Sequence, residues 1–137
     1  MQKIFDASAV LAFLYNERGA GQVRADLPEG TISAVNAAEV LSVLKRNGMP
    51  LEAAREALAK TGLRIARFAL EDAVQSTALL TAEARARDLS LGDRVCLALG
   101  ITAGLPVVTV EHNWSGLSVL VADGSEQPLP VPIEPIR

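Results

Sequence analysis

At 137 residues, half of them hydrophobic, the chain is long enough for one compact domain with a substantial core and too short to call for a second. A formal net charge of −3 argues against a generally basic nucleic-acid-binding surface, while leaving room for a local arginine and lysine rim around a groove. The single cysteine, Cys96, excludes an internal disulfide framework and a cysteine metal cluster, which fits a reducing, cytoplasmic compartment.

The opening stretch MQKIFDASAVLAFLYNERG is apolar, but one lysine precedes it and Asp6 interrupts it, so it fits neither a signal peptide nor a membrane span. Short apolar runs then alternate with longer segments of helical period, the pattern of a parallel sheet covered by helices. A first strand is expected at residues 3–5 and a helix at 8–15, with Asp6 in the turn between them and Ser8 as a cap. A short helix falls within 19–27, a second strand at 31–33, and a helix at 35–46 that stops at Asn47-Gly48. A further helix spans 51–60, closed by Gly62, and residues 64–68 alternate like a short strand. The longest helical run is 70–87, broken by Leu89-Ser90-Leu91-Gly92. Asp93 opens a strongly apolar helix at 95–103, Gly104-Leu105-Pro106 ends it, and strands follow at 107–110 and, as the fifth, 117–121. Residues 124–137 carry four prolines and little periodicity, so the chain divides into a domain at 1–123 and an extended tail at 124–137.

Four acids stand out against this apolar background: Asp6, Glu39, Asp93 and Glu111. Each lies at a strand end or helix edge beside buried residues, where an unpaired carboxylate costs several kcal/mol or is forced to protonate. Asp6 and Glu111 fall just past strand carboxyl ends, where open parallel sheets bind their ligands. Glu39 shares a helix face with Asn36 and Val43, and Asp93 stands at the mouth of an apolar helix, where the dipole favours an anion. At a separation of about 5 Å and an effective dielectric near 20, each like-charged pair repels by roughly 3 kcal/mol. Convergence on a divalent cation removes that cost, and an all-oxygen set with no His or Cys companion suits Mg²⁺ or Mn²⁺ rather than zinc.

The segments carrying these acids are KIF-Asp6-Ala-Ser8, Ser33-Ala-Val-Asn-Ala-Ala-Glu39, Leu91-Gly-Asp93-Arg94-Val-Cys-Leu-Ala-Leu-Gly, and Pro106-Val-Val-Thr109-Val-Glu111 followed by Trp114. In order and context they resemble the PIN-domain ribonucleases, and among them the VapC-type toxins of toxin–antitoxin pairs, over nearly the whole chain. The resemblance implies an α/β/α sandwich around a five-stranded parallel sheet and endonucleolytic RNA cleavage by metal-activated water. It carries over Asp6, Glu39 and Asp93 as metal ligands. Glu111 departs from the pattern, since family members commonly have Asp there; its extra methylene allows contact with the metal through a water. Ser8 and Thr109 match hydroxyl positions that orient the carboxylates. The resemblance further implies a homodimer and a VapB-type antitoxin whose basic side chain plugs the acidic site.

Blander readings apply to the same residues. Asp6 and Asp93 can serve as helix caps, and Glu39 and Glu111 as solvated edge residues. Asn36 is either a polar residue of the helix face or a neighbour of the site. Arg94 steadies Asp93, contacts phosphate, or makes a surface ion pair. Cys96 reads as an inert core thiol and His112 as a surface loop residue. Trp114 packs over a strand end or stacks a base. Arg18, Arg24, Lys45 and Arg46 line an RNA groove or a solvated face. The stripes at 11–15 and 40–44 serve the core, a partner groove or a dimer seam. Gly19-Ala-Gly21-Gln-Val-Arg24 lacks the last glycine of a dinucleotide fingerprint and follows no strand, and no phosphate-loop GxxxxGK[ST] occurs. The alternative to a nuclease is a non-catalytic PIN-fold module that binds a protein partner.

Overall fold

Ile4 and Phe5 show how the layers are built, because successive side chains on a strand point to opposite faces. In the computed structural model, which describes residues 2–136, both are fully buried but in different cores. They form β1 (Ile4–Phe5), and the neighbouring β4 (Val107–Thr109) repeats the split, with Val107 in the core of Ile4 and Val108 in that of Phe5. A strand buried on both faces reads as a continuous apolar run, as these do. β2 (Thr31–Ser33) and β3 (Arg64–Ala66) extend the sheet on one side and β7 (Ile133–Pro135) on the other, giving a five-stranded parallel order β3-β2-β1-β4-β7.

One face is covered by α1 (Ala7–Leu14), α2 (Ala20–Arg24), α3 (Ala34–Arg46) and α4 (Leu51–Ala59), which bring Val10, Val23, Val40 and Leu58 onto Phe5 and Val108. The other carries α7 (Leu91–Ala103), whose Cys96, Leu97 and Ala98 join Ile4, Val107 and Trp114. α5 (Leu70–Thr77) packs on α7. This is the α/β/α sandwich expected from the sequence.

Three features differ from the sequence expectation. The run at 70–87 is two helices, α5 and α6 (Ala82–Ala86); Thr81 breaks it by capping α6, its Oγ1 accepting from the Ala84 N–H at 3.2 Å. α7 begins at Leu91, because Ser90 and Asp93 form a reciprocal capping box there. The fifth strand of the parallel sheet is not at 117–121. That segment holds β5 (Ser118–Leu120), which pairs antiparallel with β6 (Glu126–Pro128) in a separate two-stranded sheet.

The place beside β4 is filled instead by β7, drawn from the proline-rich segment. Val107 N–H donates to the Pro132 carbonyl at 3.0 Å and Ile136 N–H to the Thr109 carbonyl at 2.9 Å, so even-numbered residues face β4. Pro135 therefore turns its missing N–H away from the ladder, the position an edge strand tolerates. Val131 and Ile136 are buried, and a Cβ at Gly19 would overlap the Ile136 carbonyl. Lys3 Nζ adds a strap, reaching Asp26 at 3.0 Å and Glu134 at 2.8 Å. Met1 and Arg137, the outer ends of the expected domain and tail, lie outside the described residues.

Candidate active site

The strand order reverses between β1 and β4, and a crevice opens over the carboxyl ends of strands at such a switch point. Asp6 follows β1 directly and Glu111 lies just past β4. α3 brings in Glu39 and α7 brings in Asp93, so that all four acids line one cleft of about 210 Å³ together with Ser8 and Asn36. Leu11 and Val43 form its apolar flank.

Asp6 is the most constrained of the four, only 4% exposed. It caps α1, a role for which the sequence offered both Ser8 and Asp6: Oδ1 accepts from the Ala9 N–H at 2.9 Å and from the Ser8 hydroxyl at 2.7 Å. Oδ2 accepts from the Thr109 hydroxyl at 2.6 Å. Burial pushes the carboxyl up to about 6; the bonds from Thr109, Ser8 and Ala9 pull the other way, and the charge of Asp93 adds to the rise. Both hydroxyls are themselves held by backbone, Thr109 Oγ1 accepting from the Glu111 N–H at 3.0 Å and Ser8 Oγ from the Val110 N–H at 3.2 Å. Each hydroxyl thus links an oxygen of Asp6 to the backbone that follows β4, which fixes the orientation of the carboxylate.

Glu39 is exposed but not loose. Asn36 Nδ2 donates to Glu39 Oε1 at 2.7 Å and to the Gly92 carbonyl at 3.0 Å, which ties α3 to α7 beside Asp93. Turning the carboxamide over would set its oxygen against two acceptors, so this orientation is the one the surroundings allow. Asn36 Oδ1 is left buried without a partner. Asp93 Oδ2 accepts from the Ser90 N–H at 2.9 Å, and Ser90 Oγ from the Asp93 N–H at 3.1 Å. Asp6 and Asp93 are thus helix caps, as the blander reading had it, and the cap is also what turns each toward the cleft. Glu111 sits exposed at the rim.

The charges converge on the wall below. Burial raises the Cys96 thiol well above its ordinary value, and Asp6, Asp93 and Glu39 all add to that rise. Cys96 is a fully buried core residue. The cleft's donors are oxygen atoms, the set preferred by hard divalent cations. Among the described residues no three His, Cys, Asp or Glu side chains are placed to grip an ion unaided. That is compatible with Mg²⁺, which takes one or two carboxylates and keeps several waters.

Other candidates fall elsewhere. Arg94 is not among the residues lining the cleft; its Nη1 donates to the Ser76 carbonyl at 3.0 Å, joining α7 to α5. Trp114 is buried against Leu117 and Val119, which leaves it no open face for a base. Of the two apolar stripes, Ala12, Val40 and Leu44 belong to the core. Arg18, Arg24, Lys45, Arg46 and His112 are exposed. Sequence reading passed over Ser90 and Gly92 as a mere break, although Ser90-Leu-Gly-Asp93 carries the spacing of a capping box.

An open parallel sheet with acids gathered over its switch point defines an α/β protein with an anionic, oxygen-lined site. Residues 3–119 match the PIN domain model, and the chain belongs to the PIN domain family. No curated protein resembles it closely enough to match. Among solved structures it is similar to a toxin–antitoxin complex from Klebsiella pneumoniae, at 23% identity over 83% of this chain and 91% of that one, with a TM-score of 0.65. VapBC2 from Rickettsia felis, solved with a DNA fragment from its promoter, aligns over 100% of both chains at 14% identity and a TM-score of 0.67. VapC20 from Mycobacterium tuberculosis, a sarcin-ricin loop cleaving toxin, aligns over 78% of this chain and 87% of its own at 19% identity and a TM-score of 0.62. These likenesses establish the fold. Among the described residues no helix is long and apolar enough to cross a membrane.

Proposed function

We propose that this protein is a metal-dependent endoribonuclease and the toxin of a VapBC-type toxin–antitoxin pair. The observation that carries the proposal is the shared cleft: acids far apart along a PIN-domain chain line one crevice at the sheet's switch point. Asp6, Glu39 and Asp93 would hold Mg²⁺ or Mn²⁺, one or two of them directly and the rest through the ion's waters, with Glu111 reaching it from the rim in the same way. When bound, such a cation supplies positive charge at a phosphodiester and a nucleophilic water at neutral pH. The chain's own part is to keep the ligands in place. Thr109 and Ser8 hold both oxygens of Asp6, Asn36 holds Glu39, and the α7 cap holds one oxygen of Asp93. Glu39 or Asp93 accepts the proton that the attacking water gives up. RNA as substrate class draws support from the Mycobacterium tuberculosis relative, a toxin that cleaves the sarcin-ricin loop.

The partner readings belong to the same proposal. An anionic cleft favours a basic side chain, which suits a VapB-type antitoxin as its plug, and two structural relatives are VapBC or toxin–antitoxin complexes. Exposed Leu70, Val74 and Leu91 offer apolar surface for a homodimer, which sedimentation of the purified protein would reveal. The setting is the cytoplasm.

Incubating purified protein with RNA in Mg²⁺ or Mn²⁺ tests the central claim. Cleavage that leaves 5′-phosphate and 3′-hydroxyl ends, stops in EDTA and is lost in Asp6→Asn and Asp93→Asn is the expected result. Full cleavage by folded Asp6→Asn and Asp93→Asn, or none by the parent with either ion, would overturn it. The second outcome would leave the fold as a protein-binding module.

A further inference from the structure

Gly92 lies in the first turn of α7, buried, and its φ is not among the positive values that demand glycine. Alanine favours a helix more than glycine does, so helix formation gives no reason for the choice. Contact does. A Cβ built on Gly92 would stand 2.5 Å from Glu39 Oε2, 2.6 Å from Oε1 and 2.7 Å from Cδ, its three nearest neighbours. All three belong to the end of a flexible side chain, so an added methyl would displace the carboxylate and leave the helix intact. Asn36 holds the same carboxylate, donating to Oε1 at 2.7 Å while its second N–H reaches the Gly92 carbonyl at 3.0 Å.

We infer that Gly92 and Asn36 form a clamp that lays the Glu39 carboxylate against the α7 backbone beside Asp93, which makes Gly92 a positioning residue of the proposed centre. The consequence for metal binding rests on the proposed function; the clamp itself does not. It explains why a small residue precedes Asp93, and it predicts an unusual combination in which a substitution that suits the helix harms the site.

The test compares the parent with G92A, N36A and the double variant by thermal melting, by the side-chain amide NMR signals of Asn36 in EDTA, and by Mn²⁺ binding. G92A should melt within about 2 °C of the parent or above it. Its Asn36 signals should shift or broaden without any metal present. Mn²⁺ affinity should fall about 10- to 100-fold in either single variant, the usual effect of losing a partner that orients a ligand. The double variant should lose no more than about two-fold beyond the weaker single, because both act on one carboxylate. Unmoved Asn36 signals in G92A, additive losses in the double variant, or a melting point lowered by more than about 5 °C would each refute the clamp. A parent that binds no Mn²⁺ refutes the proposed metal site, while the Asn36 signals still decide the clamp.

Discussion

Asp6 is charged in the least hospitable part of the cleft, and its two environments predict a measurable trade. Unfolded, the carboxyl titrates near 3.8; folded, at about 6, so the folded protein takes up the proton first as pH falls. The group's contribution to stability is full below the lower value and is lost as pH rises through the upper one, roughly 3 kcal/mol in all. Asp6→Asn removes that dependence. Its amide can donate to Thr109 Oγ1, which has a second lone pair beside the bond from Glu111, and asparagine is as good a cap as aspartate. In EDTA at pH 7.5 the variant should be more stable than the parent by up to about 3 kcal/mol, with the gap closing toward pH 5. Urea melts at the two pH values check this, and a gap that widens at pH 5 counts against it. The same variant should lose RNA cleavage by at least about 100-fold. Glu111 lies at the rim, so Glu111→Gln should slow cleavage by less than about 10-fold. A loss matching that of Asp6→Asn would place Glu111 directly on the metal.

Among the elements, α7 shows how a local rule serves the site. The capping box of Ser90 and Asp93 satisfies two helix N-terminal groups and fixes the direction in which Asp93 leaves the helix. Ser90→Ala should cost about 1 kcal/mol, or about 3–6 °C in melting temperature, and should also weaken Mn²⁺ binding. Loss of stability without any change in Mn²⁺ affinity would separate the cap from the site. The spacing of this box stands in the sequence, as do Ser33 capping α3 and Asn47-Gly48 ending it. The break at Thr81 was hidden because Ala73, Thr77, Leu80 and Ala84 keep helical spacing across it. Periodicity reports which face is apolar, not whether the backbone stays continuous.

At the level of the whole molecule, the proline-rich segment is an edge strand that completes the sheet. Val131 and Ile136 are each worth about 1.5–3 kcal/mol if fully buried, so together they approach the total stability of a small domain. Deleting residues 129–137 should therefore destabilise the entire fold and uncover β4, including the strand that carries Thr109. Thermal melting and limited proteolysis measure this; a truncated protein as stable as the full chain would show that β7 is dispensable.

The order of apolar runs, the caps and the four acids were all present in the amino-acid sequence, because each depends on neighbours within a turn or two of chain. They were enough for a parallel sheet covered by helices with an anionic site at its strand ends, while the α/β/α sandwich was implied by the family resemblance. Which segment would pair beside β4 was decided only in three dimensions: residues 117–121 and 133–135 both hold strands, and both segments bring apolar side chains into a core, but only the second lies along β4. The closeness of Gly92 to Glu39 was likewise invisible, since a glycine's role here is the space it leaves for a residue on another helix. Contacts across long loops have no local signature; they exist only once the chain has closed them.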